Sequence, residues 1–404
     1  MGVLKSYFFK LQEILKAQSI SYFILIILSA SFILLMANAA FYSQSGIMVN
    51  WFVFGSISLF VASFILQSLL LREKCYPLFI FRVLIVILLV IQVGYRIQQY
   101  ASAVHAIGTY TQRDTLLGHR IKPNLHNSWN GRTRRNDTIY NICFSSDSFS
   151  RRIPDDAFME KYLMNPTHPN KHAMFFGCSF TFGEGLMYAS TFPSLFESLN
   201  ADYKSYNYGV PGYGPHQIAL LFDKQINTIN EEAVPEEKGF ALYTYIDDHL
   251  NRVYGRNIYL RWNGDPSLVF IENDSLSIKR WSSTPEWYFK LVNEVNIFKM
   301  FYIGAYPKEE AFYKRFADIV NYIAKKYWEL KPGNHFYVGI YPGYDKDLNW
   351  VQYLDGKIIV LRVEIPPDYD NKSKYEVHRY DYHPSGAANA YYAEELTRLM
   401  NEYE

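Results

Sequence analysis

Residues 173–185 read AMFFGCSFTFGEG, a short apolar run followed by a glycine-rich turn. The apolar run Ala173–Phe176 has the length and composition of a short buried strand. Gly177 and Gly183 permit a tight turn, which would present Ser179 at the end of that strand. A helix that begins nearby could stabilise negative charge there. Taken alone, the stretch is equally compatible with a glycine-rich turn that holds an incidental serine.

Strand-like and helix-like patterns alternate after this stretch. Further strands are predicted at Tyr206–Tyr208, Phe240–Ile246, His335–Tyr341 and Ile358–Val363. Helices are predicted from Thr191 to Leu199, from Pro215 to about Asn227, over 312–327 and over 388–400. Such alternation is typical of a parallel sheet with helices on both faces. We therefore expect residues 171–404 to form a flavodoxin-like three-layer α/β/α domain, with its functional residues at the carboxyl ends of the strands.

A second glycine-rich turn occupies residues 207–215, which read NYGVPGYGP. It follows a predicted strand and precedes a predicted helix, as the first turn does. Backbone N–H groups in such a turn can point at an oxyanion. A purely structural turn fits the same residues.

A third motif, DYHPS at 381–385, stands immediately before the last predicted helix. Pro384 favours an extended conformation at His383, and side chains two residues apart on an extended chain point the same way. The Asp381 carboxylate could then orient an imidazole that takes the proton from a serine hydroxyl. An Asp-x-His pair is a weak signal alone, but three motifs in this order predict a triad of Ser179, His383 and Asp381.

Together the three motifs resemble the SGNH (GDSL) hydrolase superfamily over residues 171–402. The resemblance implies that Ser179 is the nucleophile and that Asp381 and His383 complete the triad. It matches the second block of the family to Asn207 and Gly212, and implies that the Gly212 N–H binds the oxyanion together with the Ser179 N–H. No cofactor and no metal ion are implied.

The third block of the family departs from its usual pattern in this chain. Asp247 stands where the family has an asparagine that donates to the oxyanion. An ionised carboxylate cannot donate a hydrogen bond. A third donor is therefore expected from His249, Asn251 or Arg252.

Residues 19–100 contain three apolar runs, 21–42, 47–71 and 77–95. Each is long enough to span a bilayer, so three transmembrane helices are predicted, after an amphipathic cytoplasmic helix over 1–18. The positive residues stand before the first run and between the second and third, at Lys5, Lys10, Lys16, Arg72 and Lys74. By the positive-inside rule, residues 101–404 are expected to be periplasmic or extracellular.

Residues 101–170 are predicted to form a small, irregular, partly β linker region. Two clusters of its arginines make it locally basic, namely Arg132, Arg134 and Arg135, and Arg151 and Arg152. Such a cluster is typical of a solvated surface close to lipid head groups.

The formal net charge of +1 gives no field that would attract nucleic acid. Three cysteines are too few for a disulfide scaffold and lack metal-binding spacing. Cys143 and Cys178 could pair in an oxidising compartment. Free thiols are favoured, because a bridge at Cys178 would stiffen the turn that presents Ser179.

The leading functional hypothesis is a membrane-anchored serine esterase that removes acyl groups, above all acetyl, from a glycan outside the cytoplasm. An acyltransferase could use the same acyl-Ser179 intermediate with a sugar hydroxyl as acceptor, and an esterase of lipids is a further possibility. A different class is a catalytically inactive glycan-binding or assembly module, which the Asp247 departure favours. The expected partners are an acylated glycan and the lipid bilayer, while protein partners stay undefined.

Overall fold

The computed structural model describes residues 105–134, 137–155, 169–224, 229–253, 268–279 and 310–403. All of them belong to one unit built from 103–281 and 306–404. Within these ranges no helix has the length and apolar character needed to cross a bilayer. The predicted amphipathic helix (1–18) and transmembrane helices (19–100) lie outside the described residues.

The strands, in chain order, are β1 (His105–Ile107), β2 (Thr111–Asp114), β3 (Gly118–Ile121), β4 (Ser128–Arg134), β5 (Asp137–Ser146), β6 (Arg152–Ile153), β7 (Lys171–Phe176), β8 (Tyr203–Asn207), β9 (Lys238–Tyr245), β10 (Leu268–Glu272), β11 (Ser275–Lys279), β12 (His335–Ile340), β13 (Ile359–Arg362), β14 (Glu376–His378) and β15 (Asp381–Pro384). The helices are α1 (Ser179–Phe182), α2 (Phe192–Leu199), α3 (Pro215–Asp223), α4 (Asp248–Val253), α5 (Glu310–Leu330), α6 (Lys372–Tyr375) and α7 (Gly386–Met400).

A parallel sheet forms the centre of the unit, with the strand order β8-β7-β9-β12-β13. Numbered from β7, this is the order 2-1-3-4-5 of flavodoxin-like folds. The central strands read as near-continuous apolar runs because helices cover both of their faces. The structure therefore confirms the predicted α/β fold with a parallel sheet.

Consecutive residues of β7 show how the layers are built. Phe175 packs against Phe192 of α2, with ring centroids 5.2 Å apart, on the face that α7 also covers. Phe176 points the opposite way and packs against Phe222 of α3 at 5.2 Å, on the face that α5 also covers. Side chains alternate across a strand, so one strand contributes to both cores.

An antiparallel extension, defined as β1, β4, β5 and β6, continues this sheet beyond β8 in the order β1-β4-β5-β6-β8. It comes from the region 101–170, which the sequence predicts to be partly β. The junction is the antiparallel pairing of Arg152 with Asn207. Phe144 near the end of β5 packs on Phe182 of α1 at 5.9 Å, so the extension reaches the turn that carries Ser179.

The prediction of a solvated basic surface is wrong for Arg151 and Arg152, both of which are buried. The Arg151 guanidinium donates to Asp147 at 2.7 Å and to the Ala233 carbonyl at 2.6 Å. Arg152 donates to the carbonyls of residues 182 and 183, each at 2.8 Å. A buried cation is tolerated when hydrogen bonds replace its hydration, and amino-acid composition does not reveal such partners.

Candidate active site

Ser179 lies three residues after the end of β7 and begins the single turn α1. The nucleophile turn, defined as residues 177–183, is closed by hydrogen bonds from Phe182 N to Cys178 O and from Gly183 N to Ser179 O, each at 2.9 Å. Gly183 ends it in the left-handed conformation, with φ of 79°, which glycine adopts without steric cost. Ser179 is only 7% exposed. The serine is thus held in a short, tightly bonded turn at the carboxyl edge of the sheet.

The loop after β8 packs against this turn. Asn207 is buried and donates from Nδ2 to the Thr181 carbonyl at 3.0 Å, while its Oδ1 accepts from Gly209 N at 2.9 Å. The first bond joins the two loops, and the second fixes the Asn207 side chain within its own loop. Gly212, the expected oxyanion donor, lies further along the same loop with φ of 86°.

Asp381 and His383 lie on β15, which pairs with β14 in a separate two-stranded sheet. The Nδ1 of His383 is hydrogen-bonded to Asp381 Oδ1. Burial by itself would raise the pKa of Asp381, but the hydrogen bond and charge of His383, followed by the charge of Arg132, hold it below 3.8. Asp381 therefore stays ionised at neutral pH and can orient the imidazole.

β15 lies against α1. The ring of Phe180, the residue after Ser179, has its centroid 5.9 Å from that of His383. The Ser179 hydroxyl donates weakly to Cys178 Sγ at 3.9 Å, and among the described residues it makes no hydrogen bond to His383. In unliganded enzymes such bonds are often long, so proton transfer from Ser179 to His383 stays a prediction.

The candidate donors after β9 lie partly in the core. His249 is buried and its Nδ1 is hydrogen-bonded to the Tyr243 hydroxyl at 2.6 Å. Arg252 donates to the Tyr213 carbonyl at 2.6 Å. Asn251 is half-buried on α4. Each of the two buried side chains thus has a hydrogen-bond partner, but Nε2 of His249 has none among the described residues. A third oxyanion donor stays a prediction.

Asp247 is half-buried, and its Oδ1 has no hydrogen-bond partner within the described ranges. Burial raises the pKa of this carboxyl above 3.8. The charge of Lys346 lowers the pKa in part, and neighbouring carboxylates raise it further. Those carboxylates are Asp347, Asp248 and Asp345. The site at which the resemblance places an amide donor is therefore locally acidic.

Two charged residues beside the candidate triad are not among the site residues predicted from the sequence. Arg132 of β4 contacts Asp381 Oδ2 at 3.4 Å and Glu184 Oε1 at 3.1 Å. The contact with Asp381 joins positions 249 residues apart. Glu184 belongs to the conspicuous motif around Ser179, but nothing in its spacing predicts an arginine partner.

Cys143 and Cys178 are both free and buried, as expected. In the part of the chain that the structure describes, no three His, Cys, Asp or Glu side chains are grouped so that they could hold a metal ion.

No protein-family model matches this chain, and no curated protein sequence matches it significantly. Several solved structures, in contrast, are similar to this chain. An acetyl xylan esterase from the rumen bacterium Butyrivibrio proteoclasticus is 9% identical with a TM-score of 0.37, over 59% of this chain and 66% of that one. A lipolytic protein of the G-D-S-L family from Veillonella parvula is 11% identical with a TM-score of 0.32, over 57% of this chain and 98% of that one.

A carbohydrate esterase family 2 enzyme with a carbohydrate-binding domain, from Corynascus thermopiles (Myceliophthora fergusii), is 12% identical with a TM-score of 0.33, over 67% of this chain and 75% of that one. These neighbours are lipolytic G-D-S-L proteins and carbohydrate esterases. Because the TM-scores and identities are low, the fold assignment rests on the strand order and layers of the chain itself.

Proposed function

We propose that the chain is a serine esterase of the SGNH type. The observation that carries the proposal is the hydrogen-bonded pair of Asp381 and His383 on a strand that lies against the Ser179 turn. A serine hydroxyl is a poor nucleophile until an adjacent base takes its proton. A carboxylate that is ionised at neutral pH and bonded to the imidazole supports such a base.

In the proposed reaction, Ser179 Oγ attacks the ester carbonyl while its proton passes to Nε2 of His383. The N–H groups of Ser179 and Gly212 stabilise the oxyanion that forms. The alcohol leaves with the proton from His383, and the acyl group stays on Ser179. Water, activated by the same imidazole, then releases the acid and restores the hydroxyl.

The proposed substrate is a small acyl ester, in the first place acetyl, on a glycan at the outer face of a membrane. The rings beside His383 are closely packed, since Phe180 lies 5.0 Å from Tyr341 and 5.3 Å from Tyr344. These packed rings favour a substrate with a short acyl group over a lipid ester with a long acyl chain. The glycan and the membrane location rest on the motif resemblance and on the N-terminal apolar runs.

The test is hydrolysis of p-nitrophenyl acetate, butyrate and octanoate by the detergent-solubilised full chain. Ser179→Ala and His383→Ala are expected to abolish nearly all activity, and Asp381→Asn to lower kcat by about 10³–10⁴-fold because it favours the wrong tautomer. His335→Ala, an exposed histidine at the start of β12, is the matched control and should retain full activity.

Activity that survives Ser179→Ala would refute the assignment of the nucleophile. A folded chain that hydrolyses none of the three esters would favour the inactive binding module. Adding an oligosaccharide acceptor to the same assay separates hydrolysis from acyl transfer, because transfer yields an acylated sugar in place of free acid.

A further inference from the structure

An ion pair connects the antiparallel extension to the candidate base. Arg132 of β4 contacts Asp381 Oδ2 at 3.4 Å, while the other carboxylate oxygen, Oδ1, is bonded to His383. Asp381 is 6% exposed, so little solvent competes for its oxygens. Each oxygen of this carboxylate therefore has its own cationic or N–H partner.

Arg132 is itself held in place by Glu184. The Glu184 carboxylate is 2% exposed and contacts Arg132 at 3.1 Å. It also accepts hydrogen bonds from the hydroxyls of Tyr110 and of Tyr140, the latter at 2.6 Å. The backbone N–H of Glu184 donates to the Ser179 carbonyl at 3.0 Å. One chain of contacts thus runs from the nucleophile turn through Glu184 and Arg132 to Asp381.

The charged and titratable groups around Asp381 come from several elements. Arg132 on β4 and His383 on β15 contact it directly. Behind Arg132 lie Glu184 and the two tyrosines, Tyr110 and Tyr140. On the paired strand β14, His378 lies 3.7 Å from Asp137. Of these groups, Arg132 is the permanent cation in contact with the carboxylate.

We propose that Arg132 is a positioning residue for the esterase reaction, which holds Asp381 so that one oxygen faces His383 and the carboxylate stays charged. This inference rests on the proposed function. The guanidinium also places a fixed positive charge next to the carboxylate that faces the imidazole, which offsets part of the negative charge that His383 meets. In this proposal the antiparallel extension contributes a positioning residue, Arg132, to the active site.

The kinetic test compares Arg132→Gln with the full-length wild-type chain. Loss of orientation is expected to lower kcat by about tenfold to a hundredfold with little change in KM. Removal of a cation stabilises the imidazolium, so the acidic limb of the pH–rate profile should move up by about one pH unit. Arg132→Lys keeps the positive charge, so the acidic limb of its pH–rate profile should lie at the wild-type position. Its kcat should be higher than that of Arg132→Gln but lower than that of the wild type.

Arg134→Gln is the matched control. Arg134 is on the same strand, but its guanidinium lies over the Tyr380 ring at 3.9 Å. Its removal should change neither kcat nor the pH profile. A loss of rate in Arg132→Gln without any shift of the acidic limb would indicate a merely structural role and would overturn the proposal.

A second measurement does not need turnover. Diethylpyrocarbonate acylates neutral imidazole, and the tryptic peptide 380–398 contains His383 as its only histidine. The pH midpoint of labelling at this peptide is expected to be about one unit higher in Arg132→Gln than in the wild type. Suppose that the variant and the wild type show this difference in midpoint even though the wild type hydrolyses no ester. In that case the proposed function fails, while the influence of Arg132 on His383 stands.

An unchanged labelling midpoint in folded Arg132→Gln overturns the proposal. If Arg132→Gln does not fold, Arg132→Lys decides the question, because it is expected to combine the wild-type midpoint with a reduced kcat. A shifted midpoint or a fully wild-type kcat in Arg132→Lys would contradict that expectation.

Discussion

Asp247 replaces the amide that the motif resemblance leads one to expect. Its burial among acidic neighbours raises the pKa of the carboxyl above 3.8. An ionised carboxylate next to a developing oxyanion is unfavourable, whereas a protonated carboxyl or an amide can donate a hydrogen bond. We therefore expect the identity of this one residue to affect the rate at neutral pH.

We predict that Asp247→Asn raises kcat/KM for acetyl esters by about tenfold or more at neutral pH, since one added oxyanion donor is worth roughly 10²–10³ at best. The gain should shrink as the pH is lowered, because the wild-type carboxyl then becomes protonated and can donate itself. Glu364→Gln, at an exposed position after β13, is the control and should alter the rate less than about twofold. Reduced activity in Asp247→Asn would show that the carboxylate serves the substrate instead.

At the scale of elements, the contact between the β8 loop and α1 sets the geometry around Ser179, the candidate nucleophile. A Cβ placed on Gly209 would lie 2.3 Å from Phe182 N and 2.7 Å from the Thr181 carbonyl carbon. Both are backbone atoms, so no side-chain rotation could relieve the clash. The two loops can meet only because position 209 has no side chain.

Gly209→Ala is therefore predicted to destabilise the fold by about 1–3 kcal/mol and to lower kcat, since the clash separates the Gly212 loop from Ser179. Thermal unfolding and the acetate assay together measure both effects. Gly356→Ala provides the matched control, because a Cβ there meets no atom within 4 Å. Equal Tm and kcat for the two variants would contradict the assigned loop contact.

Helices α3 and α4 bury two imidazoles, His216 and His249. Burial, followed by the charges of Arg315 and Arg252, lowers the pKa of His216 to about 3. Burial, followed by the charges of Arg252 and His216, lowers the pKa of His249 well below 6.5. Because the folded-state pKa lies below the unfolded one, the folded state is favoured above pH 6.5 and loses stability as the pH falls.

We predict that each unit of acidification below pH 6.5 costs the wild type about 1.4 kcal/mol per buried histidine. His216→Gln should remove one such contribution. Its free energy of unfolding should therefore fall by about 2 kcal/mol less than that of the wild type between pH 6.5 and 4.5. Denaturant unfolding at the two pH values measures the difference. The exposed His335 supplies the control His335→Gln. If the free energy of unfolding falls as steeply with decreasing pH in His216→Gln as in this control, the lowered pKa assigned to His216 is refuted.

At the scale of the whole molecule, the prediction concerns orientation. From the distribution of lysine and arginine around the apolar runs, we predict that residues 101–404 lie outside the cytoplasm. Reporter fusions after Gly46, Cys75 and Ala101 should read outside, inside and outside in turn. An inside signal after Ala101 would remove the case for a surface glycan as substrate, while the esterase proposal would be unaffected.

Sequence alone was sufficient for the parallel sheet and for part of the site. A strand covered on both faces must be apolar along its length, so β9 and β12 are visible as runs such as 240–246 and 335–341. The pairing of Asp381 with His383 is also local, because two positions on an extended chain share one side. Fold class and the candidate triad therefore follow from short-range patterns.

The surroundings of the candidate triad depend on long-range contacts that appear only in the folded chain. The contact of Arg132 with Asp381 spans 249 positions, and no periodicity within either segment encodes it. Arg152 looks like a surface cation in the sequence, yet it is buried against the carbonyls of the nucleophile turn. The strength of an ion pair or a buried hydrogen bond depends on which distant group the fold brings near and on how much water it excludes. These are properties of the packed sheet and its extension, and the order of residues along the chain does not show them.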